Sequence, residues 1–205
     1  MSEHSGVTPP VWMDSDDRTG LFIDGPNFHG SARDMGFDVD YQALLTYFRN
    51  RAKLLRAFYY TALDVSGEHT PLKPLVDWLS YNGYIVVTKP TKEFKDSNGR
   101  RRVKGNMDVD LAIDMLTLTP YLDHIVLLSG DGDFRRLIEA VQQRGVKTTV
   151  LAASDVTADE LRRQSDQFVE LADFRPFIER RGGPARERRA EADDVEEEGF
   201  SPERG

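Results

Sequence analysis

Three acidic stretches carry the residues that could do chemistry. They are Ile23-Asp-Gly-Pro-Asn27, Asp108-Val-Asp-Leu-Ala-Ile-Asp114 and Ser129-Gly-Asp-Gly-Asp-Phe134. Carboxylates are the hard oxygen ligands that Mg²⁺ and Mn²⁺ prefer. Crowded without a cation they repel one another, and at least one pKa must rise. A divalent ion relieves that repulsion. It also supplies what phosphodiester hydrolysis needs, an ionised water and charge stabilisation on the phosphate. The expectation is that the fold gathers these three stretches around one divalent metal.

Other chemistries find no support. The chain has no cysteine, which removes disulfides and thiolate metal sites. His29 has no partner at ligand spacing, and His4, His69 and His124 are scattered. No Gly-x-Ser-x-Gly or Walker A pattern is present. Leu21 to Gly25 also lacks the Asp-x-Asp nucleophile pattern of a phosphoaspartyl enzyme.

The acids must be positioned by strands and helices. Leu21-Phe-Ile-Asp24 and Ile125-Val-Leu-Leu-Ser129 are uninterrupted apolar runs, as in strands buried on both faces of a parallel sheet. Asp24 and the Asp131–Asp133 pair would then stand at carboxyl strand ends, where open α/β sheets bind ligands. Gly25-Pro26 reads as a turn, and the glycines of Ser129 to Phe134 as a tight strand-to-helix turn. Further strands are expected at 55–61, 84–88, 147–151 and 168–171. Helices are expected at 41–49 (capped by Asp40), 71–81, 108–118, 131–144 and 154–164, the last with Thr157 as N-cap. Strands alternating with helices call for a three-layer α/β/α Rossmann-like sandwich with a mainly parallel central sheet.

A helical wheel of about 100° per residue separates the acids of 108–118. Val109, Ala112, Ile113 and Leu116 form one apolar arc, and Leu111, Met115 and Leu118 flank Asp108 on the other side. Asp108 is therefore expected to aim at the sheet, or to cap the helix. Asp110 and Asp114 are expected to face water. Asp131 or Asp133 alone could be a helix cap, and Asn27 could orient a water or carboxylate or hold the Pro26 turn.

The charge is unevenly spread. The net formal charge is -8, yet residues 89–106 hold seven Lys or Arg against Glu93 and Asp96, a local charge of +5. Asn98-Gly99 is a two-residue turn signal. This predicts a basic β-ribbon, with Arg100, Arg101, Arg102 and Lys104 contacting phosphate, or else a solvated loop. Residues 1–18 are expected to be a flexible arm, with Trp12 loosely docked or anchoring a partner. Residues 180–205, with six Arg and eight acids, are expected to be a disordered mixed-charge tail. There is no apolar leader and no run near the ~20 residues that span a membrane, so a cytoplasmic domain over 19–179 is expected.

Together the three acidic stretches resemble the NYN domain family in its LabA-like branch, within the PIN-like ribonuclease superfamily. The likeness runs from about Thr19 to Phe174, with Asn106-Met107 a departure before Asp108. The resemblance implies a PIN-like fold and a Mg²⁺- or Mn²⁺-dependent ribonuclease. It implies Asp24, Asp108, Asp131 and Asp133 as metal acids and Asn27 as the polar companion of Asp24. Family members often carry an acid matching Asp114, which keeps Asp114 as a second-tier candidate; Asp110 is placed in the same tier. The leading expectation is a ribonuclease acting on single-stranded RNA, with Tyr59 and Phe94 exposed for base stacking. The rivals are a non-catalytic RNA- or protein-binding regulator on the same fold, and a hydrolase of nucleotides or DNA. An edge strand and the two tails leave room for a homodimer and for protein partners.

Overall fold

The computed structural model describes residues 12–63, 72–90, 92–95, 101–104 and 107–180, with 92–95 and 101–104 described by their backbone course. The predicted arm over 1–11, the tail over 181–205, the Asn98-Gly99 turn, Arg100 and the Phe94 side chain lie outside these residues. Among the described residues eight strands and seven α-helices follow in order: β1 (Arg18–Asp24), α1 (Gly25–Asp34), α2 (Tyr41–Arg49), β2 (Lys53–Leu63), α3 (Lys73–Tyr81), β3 (Ile85–Pro90), β4 (Lys92–Lys95), β5 (Arg101–Lys104), α4 (Asp108–Leu118), β6 (His124–Leu128), α5 (Arg135–Gln142), β7 (Lys147–Ala152), α6 (Asp159–Gln164), β8 (Gln167–Glu170) and α7 (Leu171–Ile178). Six strands form one sheet in the order β3-β2-β1-β6-β7-β8, and every neighbouring pair in it is parallel.

Alternate residues of each strand feed two apolar layers, as the period of two requires. Leu21, Ile23 and Tyr59 join Leu44, Phe48 and Phe174 on the side of α1, α2 and α7. Phe22, Phe58 and Tyr60 join Leu111, Met115 and Ile138 on the side of α4 and α5. Both faces of β1 and β6 are covered, which is why their sequences are apolar without alternation. The expected α/β/α sandwich is the fold, with a main sheet that is wholly parallel.

Local differences have local causes. Gly25-Pro26 is not a free turn but the first turn of α1, because proline at the start of a helix gives up an N–H that has no partner there anyway. The expected helix after Asp131 begins as a 3₁₀ turn over Gly132–Phe134 before α5. Thr157 does not cap α6; its hydroxyl donates to the Ala153 carbonyl at 2.6 Å, and α6 starts only at Asp159. Asp40 does cap α2, accepting from the Ala43 N–H at 2.9 Å.

Trp12 is neither loose nor a surface anchor. It is 3% exposed, and its ring stands edge-on to Phe48, His124 and Phe174 at centroid distances of 5.8, 6.2 and 6.3 Å. Lys147 Nζ donates to its carbonyl at 3.0 Å. The segment before β1 is thus pinned to the core by an aromatic cluster. Trp12→Ala is expected to lower unfolding free energy by about 3–5 kcal/mol, read from urea denaturation of the full chain.

Candidate active site

The site forms where β1 and β6 lie side by side. Their register pairs Ile23 with Leu128, so Asp24 comes off β1 beside Ser129 coming off β6. This is also where the connections diverge, since β1 leads towards β2 while β6 leads towards β7. Such a divergence opens a crevice at the carboxyl ends of the strands.

Three of the predicted acids converge there. One carboxylate oxygen from each of Asp108, Asp131 and Asp133 lies within 4.8 Å of the other two. Asp108 comes from the first turn of α4, and Asp131 and Asp133 come from the turn after β6. An oxygen-only set of three carboxylates fits a hard divalent cation. Asp131 is also a cap, because its Oδ1 accepts from the Asp133 N–H at 3.0 Å. Capping and membership of the trio are therefore not alternatives for Asp131.

Asp24 is not part of that trio. Its Oδ2 accepts from the Ser129 hydroxyl at 2.9 Å, and the Ser129 oxygen in turn accepts from the Asp131 N–H at 3.2 Å. Burial pushes the Asp24 carboxyl up to about 6; the Ser129 hydroxyl and the Asn27 backbone oppose this, and Asp108 and Asp131 add to it. Asn27 ties the two motifs together, its Oδ1 accepting from the Gly130 N–H at 3.0 Å. Ser129 was not singled out from the sequence, although its place between a buried strand and Gly-Asp-Gly-Asp was the available signal.

The motif glycines serve close approach, not unusual dihedrals. Among the described residues positive φ occurs only at Gly36, Gly83 and Gly145. A Cβ on Gly25 would sit 2.6 Å from the Tyr59 ring and 2.7 Å from the Tyr60 carbonyl, and one on Gly130 would sit 2.7 Å from Thr157 Oγ1.

The helix acids correct the wheel. The side of α4 that meets the sheet is Leu111 and Met115, fully buried, while Val109 and Ile113 are 66% and 58% exposed. The helix has two apolar arcs, and the sheet covers only one. Asp110 and Asp114 do not simply face water: Asp110 pairs with Lys89, and Asp114 accepts from the Tyr60 hydroxyl at 3.1 Å. Tyr59, expected as an exposed stacking platform, is 1% exposed in the core, because its position on β2 places it opposite Tyr41 in an edge-on pair.

The basic stretch does form a ribbon, with β4 and β5 antiparallel and Lys92 opposite Lys104, Phe94 opposite Arg102 and Lys95 opposite Arg101. It ends shortly before α4, so Arg101, Arg102 and Lys104 precede Asp108 in the chain by a few residues.

Comparison with known proteins settles the family. The NYN domain model matches residues 18–172. The chain belongs to the NYN domain family. It is 38% identical over 171 residues to the Low amplitude and bright protein LabA of Synechococcus elongatus, covering 82% of this chain and 90% of that protein. A crystal structure of a Vibrio parahaemolyticus protein of unknown function superposes with a TM-score of 0.67 at 25% identity, over 82% of this chain and 99% of that one. This NYN domain has a PIN-like nuclease fold with an acidic trio at its crevice. Among the described residues no helix is long and apolar enough to cross a membrane.

The raised carboxyl of Asp24 makes a stability prediction. A folded-state pKa near 6, against 3.8 unfolded, favours the fold at pH 4 and withdraws that support as pH rises through 6. Asp24→Asn keeps an acceptor for Ser129 and carries no charge. In EDTA, the variant is expected to exceed the wild type by roughly 2–3 kcal/mol at pH 8, with the gap closing by pH 4. Urea denaturation at pH 4, 6 and 8 measures it.

Proposed function

We propose that this protein is a divalent-metal-dependent ribonuclease that hydrolyses phosphodiester bonds in single-stranded RNA. The observation that carries the reading is the approach of Asp108, Asp131 and Asp133 to within 4.8 Å at the crevice of a NYN domain. Those three residues would hold Mg²⁺ or Mn²⁺, with Asp24 as a further acid of the site. Such an ion, when bound, ionises water near neutral pH and stabilises charge on a phosphate.

The chain's own residues do the rest. Asp131 fixes the turn that carries Asp133, and Asn27 locks that turn to α1 through Gly130. Ser129 donates to Asp24 and accepts from Asp131, which keeps the two carboxylates at a set spacing. Asp24 above pH 6 is anionic and is suited to orient a water by accepting its proton in a hydrogen bond. The cations of the basic stretch, Arg100, Arg101, Arg102 and Lys104, would neutralise backbone phosphates. A local charge of +5 over residues 89–106, which lead in sequence into α4, reconciles RNA binding with a net charge of -8.

The test is cleavage of a fluorescent single-stranded RNA by the purified chain in Mn²⁺, Mg²⁺ or EDTA, with a DNA of the same sequence beside it. Cleavage of RNA with either metal and none in EDTA is expected. Asp131→Asn is expected to lose at least a hundredfold in rate with an unchanged circular dichroism spectrum. Equal cleavage by that variant overturns the mechanism. Metal-dependent cutting of the DNA alone overturns the substrate.

A further inference from the structure

Asp110 and Asp114 lie one turn apart on α4, about 200° and 240° around the axis from Asp108. That flank is tied to strand ends at both positions. Asp114 accepts from the hydroxyl of Tyr60, near the end of β2, and Asp110 pairs with Lys89, the last residue but one of β3. The whole basic excursion, β4 and β5 included, lies between Lys89 and Asp110 in the chain. The ion pair therefore joins the point where the excursion leaves the body to the point where it returns. It is partly sheltered, with the Asp110 side chain 28% exposed and that of Lys89 45%.

We infer that the Lys89–Asp110 ion pair is the clasp at the base of the basic ribbon, and that both are positioning residues which set how β4 and β5 leave and rejoin the body of the domain. This rests on the nucleic-acid reading of the ribbon given above. A two-stranded hairpin is marginal by itself in water, so its direction must be supplied where it meets the body. β3 is itself the edge of the main sheet and offers no further strand on that side. A half-exposed ion pair adds little to global stability. Its effect falls on where the ribbon sits, not on whether the domain folds. The assignment also accounts for Asp110, which points away from the trio and is already engaged by a cation.

Sign distinguishes a clasp from simple surface charge. If Asp110 acted only through its charge, removing it would strengthen binding of a polyanion, and removing Lys89 would weaken it. A clasp makes both substitutions weaken binding, and exchanging the two charges restores it.

The experiment uses the full chain with Asp110→Asn, Lys89→Met, and the exchange Lys89→Asp with Asp110→Lys. The first readout is amide hydrogen exchange over residues 92–104 without nucleic acid. The second is fluorescence anisotropy of a labelled single-stranded RNA in EDTA, which prevents cleavage. Faster ribbon exchange and two- to fivefold weaker RNA binding are expected in both single variants, with both properties returning in the charge exchange and the melting temperature within a few degrees of wild type throughout. Wild-type ribbon exchange in both single variants overturns the clasp. So does tighter RNA binding by Asp110→Asn together with weaker binding by Lys89→Met, which would make Lys89 a phosphate contact. If the wild type binds no RNA while ribbon exchange responds as expected, the clasp stands and the nucleic-acid reading fails.

Discussion

Repulsion between carboxylates at the ends of β1 and β6 is the constraint on which the rest of the site depends. The Ile23–Leu128 register forces the acid of one strand beside the acidic turn of the next. Like charges at that spacing disfavour one another. The structure answers with neutral donors to the acids, the Ser129 hydroxyl to Asp24 and the Asp133 N–H to Asp131, while the Gly130 N–H donates to Asn27 Oδ1 and ties the two turns together. These bonds orient the acids without neutralising them. Burial still raises the Asp24 carboxyl to about 6. A concentration of carboxylates such as Asp108, Asp131 and Asp133 form is what a cation site requires.

The same logic explains α4. It must deliver Asp108 to the crevice while carrying two more acids that would add to the repulsion there. Helical geometry sends Asp110 and Asp114 to the far flank, where a lysine and a tyrosine hydroxyl receive them. The helix is thus held on both sides at its first turns, by the buried Leu111–Met115 seam below and by polar ties laterally. Its other arc, Val109 and Ile113, is exposed.

Much of the fold was legible because its signals are local. Apolar runs announced β1 and β6, helical spacing announced α2 to α5, and the Asp40 cap followed from backbone chemistry. What failed depended on contacts distant in the chain. Gly25-Pro26 serves turns and helix starts equally well, and only the packing of α1 on Tyr59 selects the helix. Trp12 in a polar segment gives no sign of the aromatic pocket formed by Phe48, His124 and Phe174, which come from distant parts of the chain. Tyr59 and Tyr60 are adjacent and alike, and only the pleat sends them to opposite layers.

By itself the sequence determined the chemistry on offer: oxygen ligands without sulfur or paired histidines, acids placed after buried strands, and cations concentrated before α4. Residue type and short-range spacing suffice for that, because ligand preference and strand periodicity are properties of neighbours in the chain. The tertiary structure decided the partnerships. It chose which apolar arc of α4 meets the sheet, brought Ser129 to Asp24 across 105 residues, and separated Asp108 from Asp110 into a crevice acid and a partner of Lys89. Those choices depend on strand register and helix rotation, which are fixed only when both apolar layers close on the sheet at once.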